Sequence, residues 1–136
     1  MTKLLFVIGV GFAVLVALLS CSKNDGIQLN IVGLWEKRIA CGLPLPCTHH
    51  QAGNGDRLEF MKSGRVNFYE NGQITSSKNY KVVRNGDCKM PEEFLFLKYS
   101  DRTSIDDAFT LITDTLTVSN VICGADGPFI TYVRIR

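Results

Sequence analysis

The chain is expected to fold as an all-β domain, a small antiparallel up-and-down barrel of eight strands. Three observations predict it. From Gly33 onward apolar and polar residues alternate with a period of two rather than 3.6. The alternating runs are short and regularly spaced, and Gly, Asn and Asp clusters separate them. No segment carries the apolar stripe of an amphipathic helix. Consecutive hairpins make neighbouring strands antiparallel, and eight strands can close on themselves, which removes exposed edges. A barrel of that size is either filled by its own side chains or holds one small ligand.

The strands are read in order as follows. Gly33 to Ala40 is the first. Arg57 to Met61 and Arg65 to Glu70 follow, joined by the tight turn Lys62-Ser63-Gly64. Asn71-Gly72 is the strongest short hairpin signal in the chain, because both residues tolerate the positive φ of a two-residue turn. Ser77 to Val83 is the fourth strand, ended by Arg84-Asn85-Gly86-Asp87, and Phe94 to Tyr99 is the fifth. Asp107 to Ile112 and Thr115 to Ser119 flank Thr113-Asp114 as the sixth and seventh. Phe129 to Ile135 is the last, after Gly124-Ala125-Asp126-Gly127-Pro128.

Alternation also assigns the inward face. Trp35 and Ile39 share one face of the first strand, with Lys37 between them. Leu58 with Phe60, Val66 with Phe68, Tyr80 with Val82, Phe109 with Leu111 and Leu116 with Val118 continue the pattern. The fifth strand is apolar on both faces, so either something covers its outside or it forms an exposed patch.

The N-terminus has a different logic. Lys3 precedes an uncharged apolar run from Leu4 to Leu19, shorter than the roughly 20 residues that span a bilayer. The run ends in Leu18-Leu19-Ser20-Cys21, which resembles the lipobox of bacterial lipoproteins. That resemblance implies cleavage before Cys21 and acylation of its thiol. Residues 1–20 are then a signal peptide, residues 21–31 the lipidated cysteine and a flexible polar tether, and residues 32–136 the barrel domain. More than one acyl chain makes such anchoring stable, at about 0.8 kcal/mol per buried methylene. Ser22 after the cysteine resembles outer-membrane sorting, so the expected location is the cell envelope, at the outer membrane, with the exposed face left open.

The chain carries a formal charge of +2, and +1 without Lys3. A near-neutral chain with scattered charges argues against a nucleic-acid partner. One domain of this length can bury about two-thirds of its unfolded surface. With Cys21 assigned to lipid, Cys41, Cys47, Cys88 and Cys123 remain, and an even number in an exported chain reads as two disulfides. Three pairings are open. The preferred set is Cys41–Cys47, around Gly42-Leu43-Pro44-Leu45-Pro46, and Cys88–Cys123. The longer bridge would contribute about 3–4 kcal/mol. Cys41, Cys47, His49 and His50 are metal-type ligands close in sequence, but their spacing matches no common zinc pattern and an oxidising compartment favours disulfides. No metal and no cofactor is expected.

Gly33-Leu34-Trp35 resembles the Gly-x-Trp that opens the first strand in lipocalins and related calycins, and Tyr132-Val133-Arg134 resembles the arginine-bearing last strand of the same family. The pattern is most similar to the small lipocalin-like domains of Bacteroidetes lipoproteins, which also share a hairpin like Phe60 to Gly64. The resemblance covers about Ile31 to Arg136. It implies that an arginine packs across Trp35 and closes the barrel. Arg134 is the first choice for that role and Arg136 the alternative. The domain is shorter than most lipocalins and shows no C-terminal helix, which argues against a large ligand cup.

The function expected is binding. Barrel mouths are favoured ligand sites, and Phe60, Phe68, Tyr80, Phe109 and Tyr132 are the candidate lining of a site for a small apolar ligand. These side chains would serve equally to fill so short a barrel. The alternative is an interaction module, such as a hydrolase inhibitor, that presents the Cys41–Cys47 loop. Ser76-Ser77-Lys78-Asn79-Tyr80 only faintly resembles the motif of lipidated lysozyme inhibitors and lacks its glycine. An enzyme is not expected, because no nucleophile elbow, His-Glu-x-x-His or phosphate loop is present. Glu92-Glu93 and Asp106-Asp107 read as solvated edge charges.

Overall fold

A computed structural model describes residues 30–42, 44–84, 95–101, 106–119 and 127–136. Nine strands are present among the described residues: β1 (Gly33–Gly42), β2 (Leu45–His49), β3 (Arg57–Phe60), β4 (Arg65–Glu70), β5 (Gln73–Arg84), β6 (Leu95–Tyr99), β7 (Asp107–Ile112), β8 (Thr115–Ser119) and β9 (Phe129–Arg134). Every pairing is antiparallel, and β9 returns to pair with β1. β1 and β3 to β9 therefore form a closed eight-stranded barrel, closed by the β1–β9 pairing.

Chain direction defines the two ends. β1 runs from Gly33 at one end to Gly42 at the other. The β3–β4 and β7–β8 turns lie at the Gly33 end, together with Asn30 and Ile31, which have helical backbone. The β4–β5 turn and the segment from β1 to β3 lie at the opposite end, called the mouth below. Asn71 and Gly72 have φ of 51° and 79°, as the type of turn favoured in two-residue hairpins needs. That turn starts β5 at once, so β5 is longer than its apolar half, Ser77 to Val83, indicated.

Two expectations need correction. The Pro-rich segment after Gly42 is not simply a loop. It holds β2, a ninth strand that pairs with β1 alone, through Ile39↔His49, Ala40↔Thr48 and Gly42↔Leu45. Prolines had hidden it, but an edge strand tolerates them because one row of its backbone groups needs no partner in the sheet. Ile39, read as inward, turns outward. The β1–β9 register slips between Lys37 and Ile39, so Lys37 lies opposite Tyr132 while Ile39 lies opposite Thr131. A bulge of this kind inserts one residue and inverts the facing of everything beyond it.

The core fills the Gly33 end. Ile31, Trp35, Leu58, Phe60, Val66, Tyr80, Val82, Leu97, Phe109 and Leu116 are buried there or above it, with Tyr132 nearer the mouth. Phe60 and Tyr80 meet edge to face at 5.0 Å between ring centres, a contact that contributes about 1 kcal/mol beyond area burial. On β6 both faces are covered: Leu97 is buried inward, and Phe96, opposite Val83 and Ala108, is buried on the outside.

Trp35 organises the closed end. Its indole Nε1 donates to the carbonyl of Ile31 at 2.8 Å, and the guanidinium of Arg134 lies 4.1 Å from the ring centre. Arg134 also donates to the carbonyls of Val32 at 2.8 Å and Asn30 at 2.6 Å, and its Nε is 3.4 Å from Asp114. One side chain thus ties the incoming chain and the β7–β8 turn to the first strand. Of the two arginines considered, Arg134 is the one on the indole. Arg136 contributes its backbone carbonyl to Leu34 N–H at 2.9 Å.

One group in this core is poorly served. The Tyr80 hydroxyl is buried and has no hydrogen-bond partner among the described residues, and burial alone pushes its pKa up to about 12. An unpaired buried hydroxyl costs about 1–2 kcal/mol. Tyr80→Phe keeps the ring contact with Phe60 and removes that cost. The variant is expected to be more stable by about 1–2 kcal/mol in urea unfolding.

Candidate functional site

The mouth is built from the residues that follow the core positions on each strand. On β1, two residues beyond Trp35, Lys37 faces the interior, and the bulge lies just after it. Its backbone N–H donates to Asp56 O at 2.9 Å, and its ammonium meets Asp56 Oδ2 at 3.2 Å. Asn54 shapes the loop that delivers Asp56. Its Nδ2 donates to Lys37 O at 2.8 Å, while its Oδ1 accepts from Asp56 N–H at 2.8 Å. The second oxygen of Asp56 accepts from Asn71 N–H at 3.1 Å, and that bond is the main reason its carboxyl sits below the ordinary range. The loop also touches the β4–β5 turn through Gly72 N–H to Gly55 O at 2.9 Å. A Cβ on Gly55 would lie 2.6 Å from Gly72 N, so the two backbones approach too closely for any side chain there.

Glu36 holds this loop down from outside the barrel. Its carboxylate is almost fully buried and accepts the Gly53 N–H on both oxygens at 3.1 Å. Arg38 lies 3.0 Å and Arg57 3.6 Å from the same carboxylate. Two guanidinium groups and one amide therefore balance one buried charge.

Between these parts lies a cleft of about 160 Å³, where Leu58, Phe68, Ile130 and Tyr132 share the lining with the charged residues Lys37, Asp56, Arg57 and Glu70. Cavities of about 150 Å³ accept one benzene ring, so the space suits a single ring or a short chain and not a large ligand. Tyr132 is 8% exposed, yet its phenol makes no hydrogen bond among the described residues and faces the cleft. Burial raises its pKa, and the charges of Asp107 and Asp56 raise it further.

A second cluster adjoins it. Lys78 on β5 lies 5.9 Å from the Phe68 ring centre, 5.3 Å from that of Tyr99 and 3.0 Å from Asp101. Tyr99 donates to Asp107 Oδ2 at 2.8 Å. The reading of Asp107 as a solvated edge charge is wrong: it begins β7 in the inward series of Phe109 and Leu111 and is partly buried. Burial raises its carboxyl above the ordinary value, against the pull of Tyr99 and Lys78.

That shift has a stability consequence. A carboxyl raised in the folded state binds its proton more tightly there than in the unfolded chain. Its contribution is complete below the unfolded value and is lost as pH rises through the folded one. Asp107→Asn retains an oxygen acceptor for Tyr99 and removes the buried charge. The variant is expected to show a higher urea midpoint at pH 7, with the gain shrinking as the pH is lowered toward 4.

The residues singled out from sequence divide between three places. Phe60, Tyr80 and Phe109 fill the core, whereas Phe68 and Tyr132 face the cleft. Gly33, Trp35 and Arg134 meet at the closed end: a Cβ on Gly33 would lie 2.7 Å from Arg134 Nη1. Cys41 and Cys47 are disulfide-bonded, so neither thiolate is available to a metal, and His49 is exposed nearby. Among the described residues no group of three or more His, Cys, Asp and Glu could hold a metal ion. Cys21, Cys88, Cys123 and Glu92-Glu93 lie outside the described residues. Of Ser76 to Tyr80, Ser76, Ser77 and Asn79 are exposed on β5, with Ser77 donating to Asn67 Oδ1 at 2.8 Å, while Lys78 turns toward the rings.

Lys37, Lys78, Tyr99 and Asp107 were not among the sequence candidates. The signal for three of them was visible. Lys37, Lys78 and Asp107 each extend an inward apolar series by one charged member, in Trp35-x-Lys37, Lys78-x-Tyr80-x-Val82 and Asp107-x-Phe109-x-Leu111. A charge in such a series marks where the interior meets water.

No protein-family model, curated protein or solved structure matches this chain.

Proposed function

We propose that this chain is a lipid-anchored bacterial envelope protein whose lipocalin-like barrel binds a small, largely apolar ligand at its mouth, without catalysing a reaction on it. The observation that carries this reading is the division of the barrel interior. One end is filled around Trp35, and the other keeps a ring-sized cleft where Leu58, Phe68 and Ile130 meet the Tyr132 phenol, which makes no hydrogen bond among the described residues. A few polar groups against an apolar wall are the usual make-up of a ligand site.

The anchor fits the same reading. Asn30 and Val32 are held at the closed end by Arg134. The nine residues from Cys21 to Asn30 reach roughly 30 Å at most. Lipid on Cys21 would thus tether the barrel through its closed end.

The test is native mass spectrometry of the protein purified gently from the membrane fraction. A reproducible extra mass that is lost on denaturation supports a carried ligand. Protein of bare mass, with no ligand taken up from a small-molecule library, counts against it. Metabolic labelling with a fatty acid tests the anchor, and labelling should vanish in Cys21→Ala.

A second reading has its own observation. β2 is exposed along its whole length, carries Leu45 at 74% exposure, and is clamped to β1 by Cys41–Cys47. A preorganised edge loses little entropy on binding, which suits an inhibitory or scaffolding contact with a protein. Substitutions confined to Leu45 that abolish partner capture would favour this reading.

A further inference from the structure

The outer wall of the barrel is chemically divided. From the first half of β1 through β3 to β6, outward positions carry Glu36, Arg57, Glu59, Arg65, Lys81 and Lys98. The rest of the wall is β7, β8, β9, the far half of β1, and β2. Its facing follows from the register. Phe109, Leu111, Leu116, Val118, Ile130 and Tyr132 belong to the core, so the residues between them turn outward. Thr110, Thr117, Thr131, Ile39 and His49 stand opposite one another in a row across five strands. Toward the closed end the next row is Ile112, Thr115 and Val133. Toward the mouth it is Ser119, Phe129 and Cys41, whose disulfide leads on to β2. No Asp, Glu, Lys or Arg occupies these three rows. Charge begins only at their borders, with Asp106 beside Lys98 and with Glu36 beside Arg38.

The wall is open as well as uncharged. Ile112 and Leu45, at its two margins, are 72% and 74% exposed. Thr117 and Thr131 meet near the middle, with their hydroxyl oxygens 3.4 Å apart. An antiparallel sheet face that meets only water carries charged and polar side chains, as the opposite wall does. Threonine, valine and isoleucine are stiff at χ1 and suit a pleated surface that is packed against something. Depletion of charge is the compositional mark of an interface core. The partner that fits is another sheet face with the same spacing and no charge, and a second copy of this chain supplies one. Two uncharged faces meet without repulsion, and their rows can interdigitate at the distance of about 10 Å usual between packed sheets.

We propose that this wall is the interface of a symmetric homodimer, in which the β7–β8–β9–β1–β2 faces of two copies pack together about a centre near Thr131. The wall spans roughly 24 Å by 20 Å from the strand and residue spacings. With its side chains, that is of the order of the roughly 600–800 Å² per partner that a specific interface takes. It lies along the side of the barrel. Pairing through it leaves both mouths open, and a two-fold axis parallel to the barrels keeps both Gly33 ends on the same side.

The experiment is sedimentation velocity on the protein purified in detergent, with micelles in large excess so that two anchors do not share one by chance. A dimer is expected at about 10 μM. Thr131→Arg and, separately, Thr117→Arg place like charges against each other in the pair and are expected to weaken it at least about 100-fold. Both positions face outward, so each variant should keep the wild-type far-UV spectrum and a cooperative urea transition. Lys81→Glu, on the opposite wall, should leave the dimer as it is. A monomer at every concentration up to about 100 μM would overturn the proposal. So would a dimer that survives both arginine variants, because the copies would then meet elsewhere. A different protein that purifies with the wild type and is lost from Thr131→Arg would assign the wall to that partner and overturn the homodimer.

Discussion

Gly33→Ala is expected to lower the stability of the barrel by about 3 kcal/mol or more, read as a shift in the urea or thermal midpoint. Two costs combine. Gly33 has a φ of 146°, where a residue with a Cβ is strained by about 1–3 kcal/mol. The added methyl would also stand 2.7 Å from Arg134 Nη1 and 2.8 Å from Arg136 O. The carbonyl belongs to the backbone pair that joins Arg136 to Leu34, so it cannot move without breaking that bond. The guanidinium must leave the Trp35 face, which forfeits a desolvated cation–π contact of up to about 2 kcal/mol. The double variant Gly33→Ala, Arg134→Ala separates the two costs. Its loss should be smaller than the sum of the single losses, because both substitutions remove the same contact. Strict additivity would mean that Gly33 acts through backbone strain alone.

Glu36→Ala should be comparably damaging, at about 3 kcal/mol. The carboxylate is 3% exposed, and its removal leaves Arg38 and Arg57 facing each other across a partly buried gap. It also removes the only acceptor shown for Gly53 N–H among the described residues. The loop from Gln51 to Asp56 would lose its outer fastening, and Asp56 with it. Faster hydrogen exchange at Gly53 and Lys37 should accompany the lower midpoint. Glu36→Gln can keep one bond to Gly53 while losing the charge, so an intermediate loss is expected. A loss from Glu36→Ala below about 1 kcal/mol would show that the cluster behaves as an ordinary surface salt bridge.

Much of the barrel was legible in the chain because strand periodicity and turn chemistry are local. Asn71-Gly72 announces its turn through two residues that accept positive φ, and the alternation Leu58-x-Phe60 or Leu116-x-Val118 announces a wall with one wet side. β2 was not legible, since Pro44 and Pro46 are the residues that argue against a strand, and only pairing with β1 makes one of Leu45–His49. The facing of Ile39 was not legible either. A bulge leaves no local mark at Arg38, and the slip exists only relative to β9.

The candidate site shows the same division. Phe68 and Tyr132 were identified as interior, but whether an interior aromatic fills space or lines it depends on how far along the barrel the opposite wall stands. Phe60, Tyr80 and Phe109 meet partners from across the core, and Phe68 and Tyr132 meet a cleft. Asp107 was misread because neighbouring acids at a strand start resemble a solvated edge, and only its place against Tyr99 turns one of them inward.

By itself the sequence determined the class of fold, the order and direction of the eight barrel strands, and the pairing preference of Cys41 with Cys47. These depend on alternation, turn residues and nearness along the chain, all of which act over a few positions. The tertiary structure alone decided the ninth strand, the register slip after Lys37, the choice of Arg134 over Arg136 for the Trp35 face, and the gathering of Lys37, Asp56, Tyr99, Asp107 and Tyr132 at one end. Each of those depends on which residues far apart in the chain come to lie side by side when the barrel closes. Closure is a property of the whole sheet, and no short stretch of sequence encodes it.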